Sequence, residues 1–482
     1  MPNKPLSLTA RRGALAFAAA AALCAYAGAE SLTLEQAIRE AMANSEEALL
    51  LKEKVERFDA LKQQAWSGGF PRVSAYANVG RGASPFDLAA LDFPAPTRYT
   101  SDPVTKDLIV DPAANRVHVD NTPQQAGPTV INVAQTRMSY GVQVDQSLFS
   151  FGRLGQAIRT AGIQERANTS ERRRSIQQLQ LQVLDAYYGA VTAQARLGTF
   201  EASTKRSSET AAFLESNFKM GAGRRSDVLR AITFNKSLEP QRLQAQRDAA
   251  AALMALNRVL GRSLEVKTEL DTATHLVMDP VSALPDSQAL ESIINERPDV
   301  RALELNRQSL EGQAKYLKMQ YLPALGAQGK LGVLAYQMKQ LGEFKDNREW
   351  QVGVGLNWPL FDGMGMWSQA RQVQSDARSL GLAGRQARKM MRIEIENAWR
   401  DYQSADTSLA AAQQAITAAQ AAQEMLSQDF RAGKGMLTDL LEADQMYRDA
   451  SFGYLAANYS RVRSQAALRL ALGKGLINEE VQ

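Results

Sequence analysis

The chain of 482 residues holds one cysteine, Cys24, and two histidines, His118 and His275. One thiol excludes an internal disulfide. Two isolated histidines, with no HExxH, GxSxG or Walker pattern beside them, argue against zinc, serine-hydrolase and nucleotide chemistry. Proline is missing between Pro128 and Pro240 and again after Pro359, so nothing there interrupts a helix. Beyond the N-terminus no run reaches the ~18 consecutive apolar residues of a membrane helix. A dominant charge is missing too: the formal net charge is +5, and basic and acidic residues alternate along the polar segments. A nucleic-acid surface would cluster its positive charge, so no nucleic-acid partner is expected.

What is present begins with Lys4, Arg11 and Arg12, an apolar run from Gly13 to Tyr26, and Ala27-Gly28-Ala29. This order describes a cleaved secretory signal over residues 1–29, with Glu30 as the mature start. Cys24 lies inside it, and Leu23 stands where a lipoprotein signal needs a small residue. The mature chain is therefore expected to carry no thiol, no cofactor and no metal site. An exported chain without a membrane helix is either soluble or crosses a membrane as strands.

Two stretches repeat one pattern 212 positions apart. Phe218-Lys-Met-Gly221-Ala-Gly223-Arg-Arg225-Ser-Asp227 matches Phe430-Arg-Ala-Gly433-Lys-Gly435-Met-Leu-Thr-Asp439. Each is a glycine break between two long proline-free segments, as the turn of a helical hairpin requires. At the same offset Gly261 pairs with Gly473, Val183 with Ile395, and Leu148-Phe149 with Leu360-Phe361. Nearer the start the offset grows to 252, pairing Pro71 with Pro323 and Ala37 with Ala289, so the first copy has gained about 40 residues. The expected organisation is a first repeat over 30–261, a linker over 262–288, a second repeat over 289–473 and a tail over 474–482.

Helical spacing runs from Thr33 to about Gly68, opened by Thr33-Leu-Glu-Gln36 as a capping box. Period-two alternation predicts strands at about 72–82, 138–149, 324–335 and 349–361. One face of these strands carries Val, Leu and Trp; the other carries Gly, Gln, Lys and Asn. Residues 84–135, with seven prolines and six aspartates, read as a long outer loop. The helical hairpins are expected over 151–261, with a tip at 220–227, and over 364–473, with a tip at 432–439. A helix from Phe151 to Met220 would extend roughly 100 Å, longer than a globular core needs. In the last helix Leu440, Ala443, Tyr447, Ala450, Tyr454 and Ala457 step 3, 4, 3, 4, 3, a coiled-coil seam.

Four amphipathic strands cannot close a barrel, and an open edge in lipid leaves costly unpaired backbone. The chain is thus expected to oligomerise, three copies giving twelve strands and a helical tube. In order and spacing, the duplication, Gly-Phe-Pro71, Leu322-Pro323, Leu148-Phe149-Ser-Phe-Gly152, Trp358-Pro-Leu-Phe-Asp-Gly363, Glu296-Arg-Pro-Asp299 and the paired glycine turns resemble the TolC-like outer-membrane efflux proteins. The resemblance implies a fold that is mainly α with a membrane β-barrel: a homotrimeric α-barrel below a shared 12-stranded β-barrel. It implies a passive outer-membrane channel extending into the periplasm of a Gram-negative cell. The implied partners are a periplasmic adaptor (membrane fusion) protein, an inner-membrane pump or ABC exporter, and outer-membrane lipid.

The resemblance also assigns sites. Asp439 and Glu442 fall on the family's acidic constriction, with Asp227 at the matching position of the other hairpin. Gly221, Gly223, Gly433, Gly435 and Arg225 fall at the adaptor-facing tips. Phe430 stands where a gate-holding tyrosine occurs, and Gly435 where some members have a basic residue. Tyr140, Trp350 and Trp358 sit where a membrane-interface girdle belongs. For Asp227 and Asp439 a helix-cap role is open beside the acidic ring. For the tip glycines a plain helix C-cap is open, and for Arg225 a solvated surface charge. No catalytic residue is expected; the rival to a channel is a soluble periplasmic coiled-coil scaffold or adaptor.

Overall fold

The computed structural model describes residues 31–87, 98–99, 110–111, 116–117, 119–120, 130–271, 283–335, 345 and 347–477. The signal, Cys24, His118 and His275 lie outside these residues. The described chain divides into a helical unit and a strand unit.

The helical unit contains α1 (Leu34–Asn44), α2 (Glu46–Ser67), α3 (Arg153–Lys219), α4 (Arg225–Leu260), α5 (Ser287–Glu296), α6 (Pro298–Met319), α7 (Gly365–Arg431) and α8 (Leu437–Ala471). Thr33 opens α1 as expected: its hydroxyl accepts from the Gln36 amide and the Gln36 side chain accepts from its own. The single helix anticipated from Thr33 to Gly68 is two helices. Ser45 leaves the helical region (φ −68°, ψ 145°) and its hydroxyl accepts from the Ala48 amide at 3.1 Å, starting a new helix. Serine's short side chain competes for backbone donors in this way, a break that hydrophobic period alone does not register.

The long helices α3 and α7 each have 67 residues, about 100 Å of helix. The duplication is written into the backbone. The positive-φ residues among those described form four pairs 212 positions apart: Phe151 with Gly363, Gly152 with Met364, Gly221 with Gly433, and Gly261 with Gly473. Packing repeats as well. Ile38, Val183 and Leu256 lie in one buried cluster, and their counterparts Leu290, Ile395 and Leu468 lie in a second. Leu440 and Ala443 of the expected seam are buried, and Tyr447, Ala450, Tyr454 and Ala457 are half-buried.

Two buried polar anchors pin these clusters. Tyr187 is 1% exposed, and its hydroxyl lies 2.8 Å from the Leu32 carbonyl and 2.7 Å from that of Asp271, beside the bridge pairing Leu32 with Leu270. Burial, with Asp271 nearby, pushes its pKa up to about 12. Arg297 ends α5 and Pro298 starts α6, proline being suited to a first turn. The Arg297 side chain grips Asp299 through Nε at 3.1 Å and Nη2 at 2.8 Å. It also reaches Glu394 at 3.3 Å and the Ala471 carbonyl at 2.7 Å. Burial disfavours charge on both Arg297 and Asp299, but the paired hydrogen bonds outweigh it, lowering the pKa of Asp299 and raising that of Arg297.

In the strand unit, β1 (Arg72–Asp87), β2 (Val130–Phe149), β3 (Ala324–Ala335) and β4 (Arg348–Asn357) form one antiparallel sheet in chain order. β1 and β2 run further than alternation predicted, pairing out to Asp87 and Val130. The stretch read as an outer loop thus contributes ladder at both ends, and also holds two short pairs, Arg98–Tyr99 with Val119–Asp120 and Val110–Asp111 with Arg116–Val117. Pro85 is compatible because β1 is an edge strand. β4 ends at Asn357 instead of 361, where Pro359 has no backbone N–H to give to the ladder.

The register sorts side chains by face. Ala75, Val142, Leu331 and Trp350 form one cross-strand row, and Val73, Val144, Gly329 and Val352 another on the same face. Ser74, Gln143, Lys330 and Gln351 form the row between them on the opposite face.

Because the lowered pKa of Asp299 favours its charged folded form, its contribution is present above the ordinary carboxylate pKa of ~3.9 and is lost as pH falls. Thermal unfolding followed between pH 2 and 6 is expected to show the midpoint falling below about pH 4. Asp299→Asn should flatten that slope and lower the plateau by about 1.5–3 kcal/mol, since buried Arg297 then keeps only the more distant carboxylate of Glu394.

Candidate functional site

Two surfaces have chemistry to offer: the tips of the helical hairpins and the apolar face of the sheet. At the first tip Gly221 takes φ +77°, so the Gly221 amide donates to the Phe218 carbonyl and the Ala222 amide to the Asn217 carbonyl, both at 2.9 Å. At the second, Gly433 takes φ +74°, with Gly433 to Phe430 at 3.0 Å and Lys434 to Asp429 at 2.9 Å. Both are left-handed helix terminations of the kind glycine favours. Gly223 and Gly435 serve differently: a Cβ there would come within 3.2 Å of the Phe218 nitrogen and 3.1 Å of the Phe430 nitrogen.

The tips are shorter than expected, and this moves the acidic residues. α4 begins at Arg225 and α8 at Leu437, and neither N-cap residue makes a side-chain cap bond. Asp227 and Asp439 are third in their helices, so neither is an N-cap. Each accepts instead from the preceding hydroxyl, Ser226 at 3.4 Å and Thr438 at 3.1 Å. In the first turn their charge complements the helix dipole. Asp439 and Glu442 are exposed one turn apart on α8, Asp227 is half-buried on α4, and Arg225 is exposed. No hydrogen bond joins Asp227 to Asp439 or Glu442 within the chain.

The hairpins are tied together just behind the tips. Leu214, Val228, Ala231 and Leu437 form a buried cluster, flanked by Phe430. Phe430 meets Phe213 edge-on at 6.2 Å, an apolar contact in place of a hydroxyl's hydrogen bond. Next comes a buried polar cluster that sequence reasoning missed. The Ser203 hydroxyl, fully buried on α3, donates to Asp444 of α8 and accepts from Arg448 Nη1 at 2.8 Å. Arg448 also donates to Asp444, and Arg206 of α3 holds the other carboxylate oxygen at 3.0 and 2.8 Å. Arg206 lies over the Tyr447 ring at 5.5 Å and Arg448 over the Phe234 ring of α4 at 5.5 Å. The signal was available: Asp444 and Arg448 stand four apart, where the first copy has Ile232 and Lys236.

On the sheet, Val73, Trp350 and Val352 are each about 70% exposed or more (69%, 69% and 75%). Trp358 directs its indole N–H to the Tyr321 carbonyl at 3.1 Å, and the Tyr321 hydroxyl donates to Asp362 at 2.6 Å. Trp358 is thus tethered beyond the end of β4, Trp350 stands near its start, and Tyr140 lies mid-β2, opposite Ala77 and Val333. Among the described residues no group of His, Cys, Asp or Glu is placed to hold a metal. No described helix is long and apolar enough to cross a membrane.

The family model described as outer membrane efflux protein matches residues 37–262 and again 289–474. The outer membrane efflux protein BepC of Brucella suis is 23% identical over 350 residues, 72% of this chain and 75% of its own. The alkaline protease secretion protein AprF of Pseudomonas aeruginosa is 23% identical over 316 residues, 65% of each. In fold, the CmeC outer membrane channel of Campylobacter jejuni superposes with a TM-score of 0.70 at 16% identity, over 91% of this chain and 85% of its own.

Asp444→Ala should cost about 3 kcal/mol or more, because Arg448 is then buried without its carboxylate. The exposed neighbour substitution Asp449→Ala should stay within about 0.5 kcal/mol. Thermal unfolding of the two variants side by side measures the difference.

Proposed function

The chain belongs to the outer membrane efflux protein family, and from that premise we propose that it is one subunit of a homotrimeric channel giving passive exit to the substrates of an efflux pump or type I secretion system. As a family member it is a non-enzymatic transport protein of the Gram-negative outer membrane. The observation that carries the finer reading is the sheet: four strands with one apolar, solvent-exposed face and two unpaired edges, β1 and β4. In lipid each unpaired backbone group costs several kcal/mol. Three copies joined edge to edge make twelve strands and leave no edge, with the apolar rows outward and Ser74, Gln143, Lys330 and Gln351 lining the pore.

In this reading the repeats over 30–261 and 289–473 contribute two hairpins per subunit to a periplasmic helical tunnel. The tips at Gly221, Gly223, Gly433, Gly435 and Arg225 engage a periplasmic adaptor, which couples the tunnel to an inner-membrane pump or ABC exporter. Asp439 and Glu442, with Asp227 on the neighbouring hairpin, form the acidic constriction that gates the mouth, and Tyr140, Trp350 and Trp358 anchor the barrel in lipid. One relative is named for efflux and another for protease secretion; a passive wall serves either.

An acidic mouth attracts cations. In planar bilayers, multivalent cations on the periplasmic side are expected to block single-channel current through the wild type. Relief of block in Asp439→Ala with Glu442→Ala supports the assignment, whereas unchanged block shows that the constriction lies elsewhere.

A further inference from the structure

α3 and α6 are joined by polar contacts that bracket a gap. Gln156 donates to the Gly312 carbonyl at 3.2 Å and Gln164 to the Asn306 side chain at 3.0 Å. A Cβ on Gly312 would sit 2.5 Å from the Thr160 hydroxyl, so no larger residue fits at that crossing. Further along, Arg174 pairs with Asp299 at 3.6 Å. Beside these contacts lies an open groove of about 920 Å³, walled by α3, α6, the end of α5 and Arg388 of α7. All of these residues belong to the helical unit.

The floor of the groove is apolar. Pro298 and Val300 are buried there, and Ile176 and Leu305 are half-buried. Its rim is basic: Arg166, Arg172, Arg173, Arg301 and Arg388 line it, against two carboxylates, Glu296 and Glu304. Glu304 is already engaged, accepting from Arg307 at 2.6 and 3.0 Å and from Gln308 at 3.0 Å. The hydrogen bond from Arg307 above all, with the charges of Arg307 and Arg388 adding, holds its carboxyl below the usual range. Glu171, beside Arg172 on α3, accepts from Asn306 at 2.8 Å.

The arginines are less well provided for. The side chains of Arg166, Arg172 and Arg301 take part in no hydrogen bond or ion pair among the described residues. Arg388 uses its Nε on Asn295 at 3.1 Å. Past Arg388 the basic excess continues, because the neighbouring groove between α6 and α7 carries Arg378 and Arg385. Like charges gathered over an apolar surface raise the local potential and concentrate counter-ions there. A planar guanidinium matches the paired oxygens of a carboxylate, sulfonate or phosphate. The floor in turn suits an apolar body. The volume falls within the ~300–1,000 Å³ of small-molecule sites, enough for one drug-sized ligand.

We propose that this groove binds a small, water-soluble amphipathic organic anion. Arg172, Arg301 and their neighbours hold its charged group, and its apolar body lies on Ile176, Pro298, Val300 and Leu305. Every wall comes from one chain, so the site does not rest on the trimeric reading. It goes beyond passive exit, since the helical unit then retains one chemical class in preference to others.

The test uses the full chain extracted in neutral detergent and equilibrium dialysis of labelled naphthalene-2-sulfonate against the same detergent without protein. Saturable binding is expected. Methanesulfonate, which lacks the apolar body, and 2-naphthylmethylammonium, which reverses the charge, should bind at least about tenfold more weakly. Arg172→Gln with Arg301→Gln should weaken the sulfonate by about tenfold or more. Arg224→Gln with Arg230→Gln removes equal charge elsewhere and should leave binding unchanged, with circular dichroism checking the helix content of each variant. No saturable binding to the wild type, sulfonate and ammonium bound alike, or equal loss in both double variants overturns the site. Displacement of the label by dihexanoylphosphatidylglycerol at lower concentration than by naphthalene-2-sulfonate gives the groove to a lipid and overturns the soluble occupant. A wild type that binds the sulfonate but carries no current in planar bilayers overturns the channel reading alone.

Discussion

The constraint on which the rest depends is the unpaired backbone at the two edges of a four-stranded sheet. A strand edge in water can be blunted by charge or cover, but one in lipid has no substitute partner. β1 and β4 show their apolar side chains to solvent and keep no helix over that face within the strand unit. A sheet so made is unfinished as a single chain. That incompleteness ties together the apolar rows and the polar row between them.

The duplication explains how one chain provides so regular a set of parts. Helical hairpins are cheap to repeat because their geometry is local: a left-handed glycine ends one helix and the next begins within a few residues. The paired φ values of Gly221 with Gly433 and of Gly261 with Gly473 show the turns held alike while the residues between them changed. Packing was held too, since Val183 and Ile395 occupy corresponding places in separate buried clusters. The first copy alone received the insertion between its strands. An insertion at that point lengthens β1 and β2 without disturbing the cross-strand rows nearer the helices.

What was legible in the sequence follows from this. Glycine turns, period-two strands and proline-free helices are signalled by the residues that form them, so the two hairpins and four strands could be read directly. The break at Ser45 was not legible, because it depends on a hydroxyl competing for a backbone amide, which leaves the apolar spacing intact. The reach of β1 to Asp87 was hidden by Pro85, whose meaning depends on knowing that β1 is an edge. Asp227 and Asp439 looked like caps because each follows a hydroxyl residue at a helix start. The helices begin two residues earlier, after glycines whose tight approach to Phe218 and Phe430 fixes where the chain can turn.

Asp444 shows where the copies parted. At matching positions α4 has Ile232 and Lys236, whereas α8 has Asp444 and Arg448, gripped by Ser203 and Arg206 of α3. An apolar contact such as Leu437 against Val228 tolerates sliding, because dispersion is not directional. A carboxylate holding a hydroxyl and two guanidinium groups does not, since any shift large enough to break one bond strands a buried charge. At Asp444 the second hairpin is thus fixed to the first by interactions that are either made or lost, as it is further from the tip where Tyr459 and Arg463 hold Asp185. Beyond Asp444, toward the tip, it is held by apolar contacts alone. If the tip gates the channel as proposed, the hinge for its movement lies between Asp444 and Gly435, on the stretch of α8 that carries Asp439 and Glu442.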